Sequence, residues 1–436
     1  MSEKTIINLD GNDLPNAWLN ISADIPYELP LPIDGATGNE VPLEWLAALY
    51  PSECARIELL RGPYRDQRLI PIPDPVLAEY RKFRPTPLFR ARGLEQVLGY
   101  AGAIYFKRED FNPSGSHKPN TALAQAYYAK LDGLERVVTD TGAGQWGAAL
   151  AYSCKRFDLK CSVFMTRKSY VDKPYRATLM KLCGAEVFPS PSDRTNVGRD
   201  LLASDPTHSG SLGIGMAEAI EYVRSLERTR LALGCMSYYA ALHQTIIGLE
   251  TQKQVEISGD EPDIMIGCVG GGTNFVGFIA PFIVDKIKKR NDIKFIAVES
   301  ANIPVLTSGE YRYDYADYAG FTPKVKMYTL GHKFVPSPIH SGGLRYHGKS
   351  PILSLLFHEG HVEASSVDQI EAFAAGRLFL EHEGVLAAPE TCHAIAQVLR
   401  EVVRCKKEGV ARNIYFCLSG TGYLDLKSYA DAPAVS

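Results

Sequence analysis

From residue 103 onward, short apolar segments alternate along the chain with longer segments of helical periodicity. The apolar segments are predicted strands at residues 103–107, 136–140, 160–165, 186–188, 264–269, 294–298 and 413–418. Strands that alternate with helices are typical of parallel sheets that are covered by helices on both faces. The pattern therefore predicts a doubly wound α/β architecture.

Two segments depart from this alternation. Residues 1–75 contain the proline-rich stretches LPLPID and IPIPDP, and we expect an extended arm that packs over the core, with a short helix at residues 42–49. Residues 309–348 are rich in Tyr, Gly and Pro and are predicted to form a long ordered loop. Ordered loops of that length are usually functional.

The composition is that of an ordinary soluble enzyme. The 436 residues are 45% hydrophobic and 22% charged, with a net charge of −3. No basic surplus favours binding to nucleic acid or to an anionic membrane, and no apolar run reaches the ~18 residues of a membrane span. Neither a secretory signal nor an Arg-rich transit peptide is evident in the polar, acidic N-terminus, and we expect none. Nine scattered cysteines without a CxxC pair favour reduced, buried thiols in a cytoplasmic protein, and no metal site is predicted.

A lysine directly behind a small, flexible loop is the strongest candidate for a reactive group. Gly115 and Ser116 allow a tight turn, and Pro119 is tolerated in a first helical turn. Lys118 therefore lies at the positive end of a helix dipole, beside His117, and both features favour the neutral amine. Only a neutral amine attacks a carbonyl carbon, so the position suits a nucleophilic lysine. The alternative is a solvated surface lysine that precedes a helix.

A second motif places a glycine loop between a buried strand and a helix. The sequence GGGTN at residues 270–274 follows the predicted strand 264–269 and precedes a helix-like segment. Backbone N–H groups in such a loop bind anions at the helix N-terminus. The loop is neither a Walker loop nor a dinucleotide fingerprint, and the alternative is a tight turn that binds nothing. A nucleophilic lysine with a separate phosphate site suggests pyridoxal phosphate (PLP).

Two further strand ends carry candidate ligands, because α/β folds bind ligands there. The strand 136–140 ends in Asp140 and continues into TGAGQWG, whose amides can bind a substrate carboxylate while Asp140 acts as an acid or base. A glycine turn with a capping aspartate is the alternative. The strand 413–418 leads to Ser419, whose hydroxyl can bond a pyridine nitrogen without protonating it. His393 is interpreted as a structural histidine.

With these motifs in this order, the chain resembles the tryptophan synthase β chains, PLP enzymes of fold type II, from about Arg84 to Leu426. It is most similar to the divergent type 2 branch, with which it shares GSHK-NTA, TGAGQWG, GLRYHG and APETCHAI. The implied fold is two doubly wound parallel-sheet domains with the cofactor in the cleft between them. The implied division is an N-terminal extension and start of the N-domain (1–83), a segment crossing to the C-domain (84–116), a mobile substrate-carboxylate domain (117–240) and a PLP-phosphate domain (241–436).

The resemblance also implies roles for individual residues. Lys118 would bind the cofactor covalently and move the proton at the substrate Cα, and Asp140 would be the second catalytic residue. The cofactor would further contact His117, Asn120, Gly270, Gly271, Gly272, Thr273, Asn274, Glu383 and Ser419, and the substrate would contact Thr141, Gly142, Ala143, Gly144, Gln145 and Arg345. Asn120 and Glu383 would lie beside the cofactor ring. The resemblance leaves room for a monovalent cation held by backbone carbonyls.

Two positions bear on the choice of substrates. Asp140 stands where the family has glutamate, which withdraws the carboxylate by ~1.5 Å, and displacements of ~1 Å can lower a rate a hundredfold. Either the pocket compensates, or the second substrate differs from indole. Arg345 stands where ordinary β chains have an aspartate near the substrate hydroxyl. An arginine there predicts a preference for O-phosphoserine over serine; the alternative is that Arg345 pairs with a neighbouring acid.

The resulting prediction is PLP-dependent β-replacement on L-serine or O-phospho-L-serine, with indole as the expected nucleophile and L-tryptophan as the product. The alternatives are a different nucleophile, β-elimination as in a serine or threonine ammonia-lyase, and a noncatalytic PLP-bound scaffold. An NAD-linked oxidoreductase is disfavoured by the missing GxGxxG fingerprint. The expected assembly is a homodimer that needs no tightly bound α chain and has no nucleic-acid or membrane partner.

Overall fold

The computed structural model describes residues 5–337 and 339–432, in which strands and helices alternate along most of the chain. The strands are β1 (Ile6–Ile7), β2 (Ala17–Leu19), β3 (Leu69–Pro71), β4 (Leu88–Arg90), β5 (Ile104–Arg108), β6 (Arg136–Thr141), β7 (Lys160–Thr166), β8 (Glu186–Ser190), β9 (Thr229–Leu231), β10 (Ile264–Cys268), β11 (Lys294–Ser300), β12 (Glu310–Tyr315), β13 (Lys324–Thr329), β14 (Glu363–Val367) and β15 (Ile414–Leu418). The helices are α1 (Leu43–Leu49), α2 (Ser52–Glu58), α3 (Pro63–Asp66), α4 (Asp74–Tyr80), α5 (Arg92–Leu98), α6 (Pro119–Leu131), α7 (Gln145–Arg156), α8 (Arg167–Asp172), α9 (Pro174–Leu182), α10 (Asn196–Ser204), α11 (Leu212–Arg224), α12 (Tyr238–Ser258), α13 (Thr273–Ile287), α14 (Val305–Ser308), α15 (Pro351–His358), α16 (Gln369–Glu383), α17 (Pro389–Glu408) and α18 (Leu426–Asp431).

The larger sheet has the strand order β1-β4-β5-β15-β10-β11-β14. Neighbouring strands from β5 to β14 are parallel, and Ile414 of β15 lies between Ile104 and Ile264. These three side chains are fully buried, as expected for a parallel sheet that is covered on both faces. At the other edge β4 is antiparallel to β5, and β1 is antiparallel to β4. The alternation of strands and helices did not predict this antiparallel edge.

The smaller sheet has the order β8-β7-β6-β9, and all of its strands are parallel. The helices α7 and α11 pack on it, and Val137, Leu150 and Val163 belong to its buried core. Every strand predicted from the sequence is present in one of the two sheets, with bounds that differ by no more than two residues. The prediction of a doubly wound fold with parallel sheets is therefore confirmed.

The long helix α12 runs through the interior and packs on α13, α6 and β2. It is buried on most sides, as is typical of a central helix. Gly277 of α13 allows close contact with α12, because a Cβ on Gly277 would lie 2.4 Å from Cβ of Gln244. The Gln244 side chain donates a hydrogen bond to the carbonyl of His117 at 3.2 Å. The helix α12 thus supports the loop that leads to Lys118.

The N-terminal segment is anchored by buried side chains, among them Trp18, Leu46 and Ile57. The helix α1 agrees with the predicted helix 42–49 to within one residue. β2 and β3 form an antiparallel pair that the sequence did not predict. Residues 1–4 of the predicted arm lie outside the described residues.

The prediction of a loop at residues 309–348 is wrong for residues 310–315 and 324–329, which are strands. β12 and β13 form an antiparallel hairpin in which Tyr311 lies opposite Tyr328, with ring centroids 5.2 Å apart. Stacked aromatic pairs across strands stabilise such hairpins. The sequence EYRYDY does alternate with the period of a strand, but the abundance of Gly and Pro around it obscured that signal. Pro338 lies outside the described residues.

Two further findings concern membranes and thiols. None of the helices in residues 5–337 and 339–432 is long and apolar enough to cross a membrane. All nine cysteines are free, and most of them are buried, as their scattered spacing predicts.

Candidate active site

A pocket lies where the carboxyl ends of strands from the two sheets face each other. β6 of the smaller sheet ends at Thr141, and β10 and β15 of the larger sheet end beside Cys268 and Ser419. Open α/β sheets bind their ligands at this position. The lining residues are His117, Lys118, Asp140, Thr141, Gly142, Ala143, Gln145, Trp146, Leu212, Met216, Leu233, Gly234, Cys235, Cys268, Gly270, Gly271, Gly272, Thr273, Asn274, Gly343, Leu344, Tyr346, Glu390 and Ser419.

Lys118 immediately precedes α6, where the sequence predicts the start of a helix, and its side chain faces the pocket. Its Nζ donates a hydrogen bond to the carbonyl of Gly234 at 2.8 Å. Burial lowers the pKa of Lys118, and this effect outweighs the attraction of Cys235 and Glu390, which favours the charged form. A lowered pKa increases the fraction of neutral amine, which is the form that acts as a nucleophile or accepts a proton.

The predicted phosphate loop lies at the start of α13, and all five residues of GGGTN line the pocket. No side chain fits at its glycines. A Cβ on Gly270 would lie 2.2 Å from the carbonyl oxygen of Gly343, and Gly272 has a φ of +91° with Leu353 equally close. The bare backbone at the positive end of a 15-residue helix is suited to binding an anion.

Asp140 and the loop that follows it face the phosphate loop from the smaller sheet. Burial raises the pKa of Asp140 to about 7, although its own backbone N–H and the charge of Lys118 oppose that rise. Four of the five predicted carboxylate-binding residues line the pocket, namely Thr141, Gly142, Ala143 and Gln145. Gly144 does not line it; with a φ of +92°, it caps the N-terminus of α7.

Ser419 lies at the end of β15, where the sequence places it. Its Oγ is 2.8 Å from Oγ1 of Thr391 and 3.4 Å from Sγ of Cys268. These neighbours are neutral groups, so a ring nitrogen that meets this hydroxyl would find a hydrogen-bond partner but no carboxylate. Thr391 was not identified from the sequence.

Asn120 does not line the pocket, so the structure does not bring it together with the other predicted cofactor contacts. Its Nδ2 donates to Oε2 of Glu109 at 2.9 Å and to Oε1 of Gln244 at 3.1 Å. Its Oδ1 accepts a hydrogen bond from Arg84 at 2.7 Å. The side chain is therefore part of a buried polar network behind α6.

Glu383, the other residue predicted beside the cofactor ring, does not line the pocket either. It lies in the last turn of α16, where its carboxylate accepts a hydrogen bond from the backbone of Leu94 at 2.6 Å. The carboxylate in the pocket belongs to Glu390, in the first turn of α17, whose Oε1 accepts a hydrogen bond from the backbone of Gly343 at 2.7 Å. The turn between the helices separates the two residues. The recognised motif APETCHAI contained the right glutamate.

Arg345 is the fourth predicted residue that does not line the pocket, after Gly144, Asn120 and Glu383. Its neighbours Leu344 and Tyr346 do, but its guanidinium is buried elsewhere and donates to the carbonyl of Pro336 at 3.3 Å. No carboxylate of the described residues lies within ion-pair distance of Arg345. Burial lowers the pKa of Arg345, and the charge of Asp172 opposes that effect. The structural reason for preferring O-phosphoserine is thereby removed.

The remaining lining residues that the sequence did not identify are mostly apolar. Leu212 and Met216 come from α11, Leu233 from the segment after β9, and Tyr346 from the segment after the hairpin. They are distant in sequence, and only the fold brings them together. Trp146 was visible in TGAGQWG, but no role was assigned to it.

Several polar atoms of the pocket residues are buried without a partner among the described residues. These atoms are Nδ1 of His117, Nε2 of Gln145, Oδ1 of Asn274 and Oε2 of Glu390. Buried polar groups are normally hydrogen-bonded, so this arrangement calls for a polar ligand. A lysine with lowered pKa, an anion-binding loop and a neutral hydroxyl partner together fit PLP.

The described residues contain no group of three or more His, Cys, Asp or Glu side chains that could hold a metal ion. Binding of a monovalent cation by backbone carbonyls stays a prediction. His393 is buried outside the pocket, with Nδ1 2.9 Å from the carbonyl of Pro389.

Comparison with known proteins agrees with the site. Residues 80–420 match the family described as pyridoxal-phosphate dependent enzyme. Tryptophan synthase beta chain 2 of Thermotoga maritima is 49% identical over 426 residues, which are 98% of this chain and 100% of that protein. The protein of the same name from Methanothermobacter thermautotrophicus is 50% identical over 98% of both chains.

A solved structure of a fungal L-serine ammonia-lyase from Rhizomucor miehei superposes with a TM-score of 0.59 at 17% identity, and covers 79% of this chain and 97% of that one. At that identity the likeness concerns the fold alone. The fold, the pocket and the relatives at about half identity lead to one conclusion: the chain is a PLP-dependent enzyme that belongs to the tryptophan synthase β chains.

Proposed function

We propose that this enzyme condenses L-serine with indole to give L-tryptophan and water. The observation that carries the proposal is a single pocket in which Lys118 and Asp140 face the same space from different sheets, beside an anion-binding loop. Relatives that are about half identical over nearly their whole length are named tryptophan synthase beta chains, which supports the same reaction.

Bound PLP would withdraw electrons from the substrate Cα. The amides of the glycine loop and the side chain of His117 would hold its phosphate, and Ser419 would bond its ring nitrogen without protonating it. Lys118 would hold the cofactor, remove the proton from the serine Cα and later return it. The loop at residues 141–145 would bind the serine carboxylate through its amides.

Asp140 would act twice in this sequence. With a pKa of about 7, its carboxyl group is present both protonated and ionised near neutral pH. The protonated form would give its proton to the β-hydroxyl of serine as that group leaves as water. The resulting carboxylate would accept a hydrogen bond from the N–H of indole and so orient the nucleophilic ring carbon of indole toward Cβ of the substrate.

An apolar wall beside Asp140 supports an aromatic second substrate. Leu212, Met216, Trp146 and Tyr346 line the pocket and are mostly buried. Such a wall would pack on an indole ring and keep water away from the electrophilic carbon at Cβ. Water that gains access would favour pyruvate over tryptophan.

We propose L-serine as the donor, because Arg345 does not line the pocket and its guanidinium donates to the carbonyl of Pro336 instead. We further propose a homodimer that works without a tightly bound α chain, in the reducing cytoplasm where nine free cysteines persist. The division into residues 1–83, 84–116, 117–240 and 241–436 is retained as the proposed domain organisation.

A test is to incubate the PLP-loaded enzyme with L-serine and a panel of indoles, phenols and thiols, and to identify products by mass spectrometry. We expect tryptophan from indole, and little product from phenols or thiols. A product from another nucleophile alone would reassign the second substrate. Pyruvate alone, with or without indole, would identify an ammonia-lyase and would be consistent with the shorter carboxylate side chain of Asp140.

A further inference from the structure

A buried group of three charged side chains, Lys173, Arg176 and Asp425, lies outside the pocket; we refer to it as the Asp425 cluster. Nζ of Lys173 is 2.7 Å from Oδ1 of Asp425, and an Nη of Arg176 is 2.7 Å from Oδ2. The side chains of Asp425 and Arg176 are at most 1% exposed, and that of Lys173 is 5% exposed. Burial alone would raise the pKa of Asp425, but its attraction to Arg176 and Lys173 lowers it instead.

The Asp425 cluster joins the two halves of the pocket. Arg176 lies in the first turn of α9, and Lys173 immediately precedes that helix, which packs on α7 beside the smaller sheet. Asp425 precedes α18 in the segment that follows Ser419, at the end of a strand of the larger sheet. Buried ion pairs contribute little net stability, yet losing one partner leaves an uncompensated charge and is strongly destabilising. We therefore interpret the Asp425 cluster as a group that fixes the position of α9 relative to the segment after Ser419, and not as a source of net stability.

Arg176 also packs directly against the carboxylate-binding loop. A Cβ on Gly144 would lie 2.9 Å from Cβ and 3.0 Å from Cδ of Arg176, so the stem of the arginine forms the floor of that loop. On the other side of the loop, a Cβ on Gly142 would lie 2.9 Å from the carbonyl oxygen of Gly342. Lys173 extends the contact to the same segment, because its Nζ donates to the carbonyl of His340 at 3.0 Å.

We propose that Asp425, through Arg176 and Lys173, is a positioning residue that fixes the 141–145 loop for binding the substrate carboxylate. Arg176 supports the loop from below, and Asp425 holds Arg176 in place from the opposite sheet. The inference rests on the proposed function, since it takes an amino acid as the substrate of this loop. None of the three side chains lines the pocket, so each acts through the loop and not on the substrate.

The test compares Asp425→Asn with the matched control Asp172→Asn. Asp172 lies next to Lys173 in the chain and pairs on the surface with Lys168 and with Lys427, the latter at 3.6 Å. In Asp425→Asn we expect KM for serine to rise by about tenfold or more, with kcat changed by less than about threefold, because the lost contact positions the ground state and the transition state alike. Asp172→Asn should behave as wild type.

Two readouts separate this role from a merely structural one. PLP affinity should remain within about twofold of wild type, since the phosphate loop is on the other side of the pocket. Serine binding, followed without indole through the change in the visible spectrum of the bound cofactor, should weaken by the same factor as KM. This second readout remains valid even if indole is not the nucleophile, so a failure of the proposed function and a failure of this inference are distinguishable.

Asp425→Asn leaves two buried cations without a carboxylate and is at risk of not folding. The double variant Arg176→Gln with Asp425→Asn keeps the net charge of the Asp425 cluster and is the second test. It should fold and show the same rise in KM for serine. Normal serine binding in either folded variant would overturn the proposal, as would an equal loss of serine binding in Asp172→Asn.

Discussion

Asp140→Asn should make the enzyme more stable and much less active, and the gain in stability should depend on pH. The folded chain raises the pKa of Asp140 from an ordinary value of 3.8 to about 7. The unfolded chain therefore releases this proton at a lower pH than the folded chain. The contribution of this carboxyl group to the free energy of unfolding is largest below pH 4 and falls as the pH rises toward 7. The fall is about 1.4 kcal/mol per pH unit and about 4 kcal/mol in all. Asparagine cannot ionise and avoids that loss.

The free energy of unfolding of Asp140→Asn minus that of wild type should therefore be about 3 kcal/mol larger at pH 8 than at pH 5. Denaturant titrations of the cofactor-free proteins at both pH values measure it, with Asp172→Asn as a control on a half-buried carboxylate outside the pocket. The PLP-loaded variant should bind serine but form tryptophan about 10²–10⁴ times more slowly. A stability difference that does not change with pH would show that Asp140 has an ordinary pKa, and full activity would show that its carboxylate takes no part in the reaction.

Three further predictions concern the cofactor and the donor. Lys118→Ala should abolish the visible absorbance of covalently bound PLP. A variant that keeps this absorbance band would show that Lys118 does not bind the cofactor covalently. Gly272→Ala should weaken PLP binding, measured by titration, by about tenfold or more, because the new Cβ meets Leu353 and the φ of +91° is strained; unchanged affinity would mean that the loop does not hold the phosphate. Arg345→Ala should lower kcat/KM for serine and O-phosphoserine by the same factor; a selective loss for O-phosphoserine would restore the discarded hypothesis.

The sequence predicted the parts of the site that depend on local chain geometry. A glycine loop between a strand and a helix, and a lysine before a helix, are determined by adjacent residues, and Lys118 and the 270–274 loop lie where they were expected. The direction in which a side chain points is a different matter. Arg345 lies between two lining residues and yet faces away, and no local pattern encodes that.

The same distinction explains the other errors. Asn120 lies two residues after Lys118, but its amide satisfies buried charges on Arg84 and Glu109 that come from other segments. The antiparallel edge formed by β1 and β4 depends on pairing with β5, and strands of two or three residues have no period to read. The apolar wall of the pocket likewise exists only after α11 and the hairpin segment come together.

The central claim is most directly tested by one kinetic measurement on the PLP-loaded wild type, without any α chain. Tryptophan formation from serine and indole is measured beside pyruvate formation from serine alone, and the two values of kcat/KM for serine are compared. The account predicts that tryptophan formation exceeds pyruvate formation by at least about tenfold, because the apolar wall admits indole and excludes water. Pyruvate as the main product in the presence of saturating indole would contradict it.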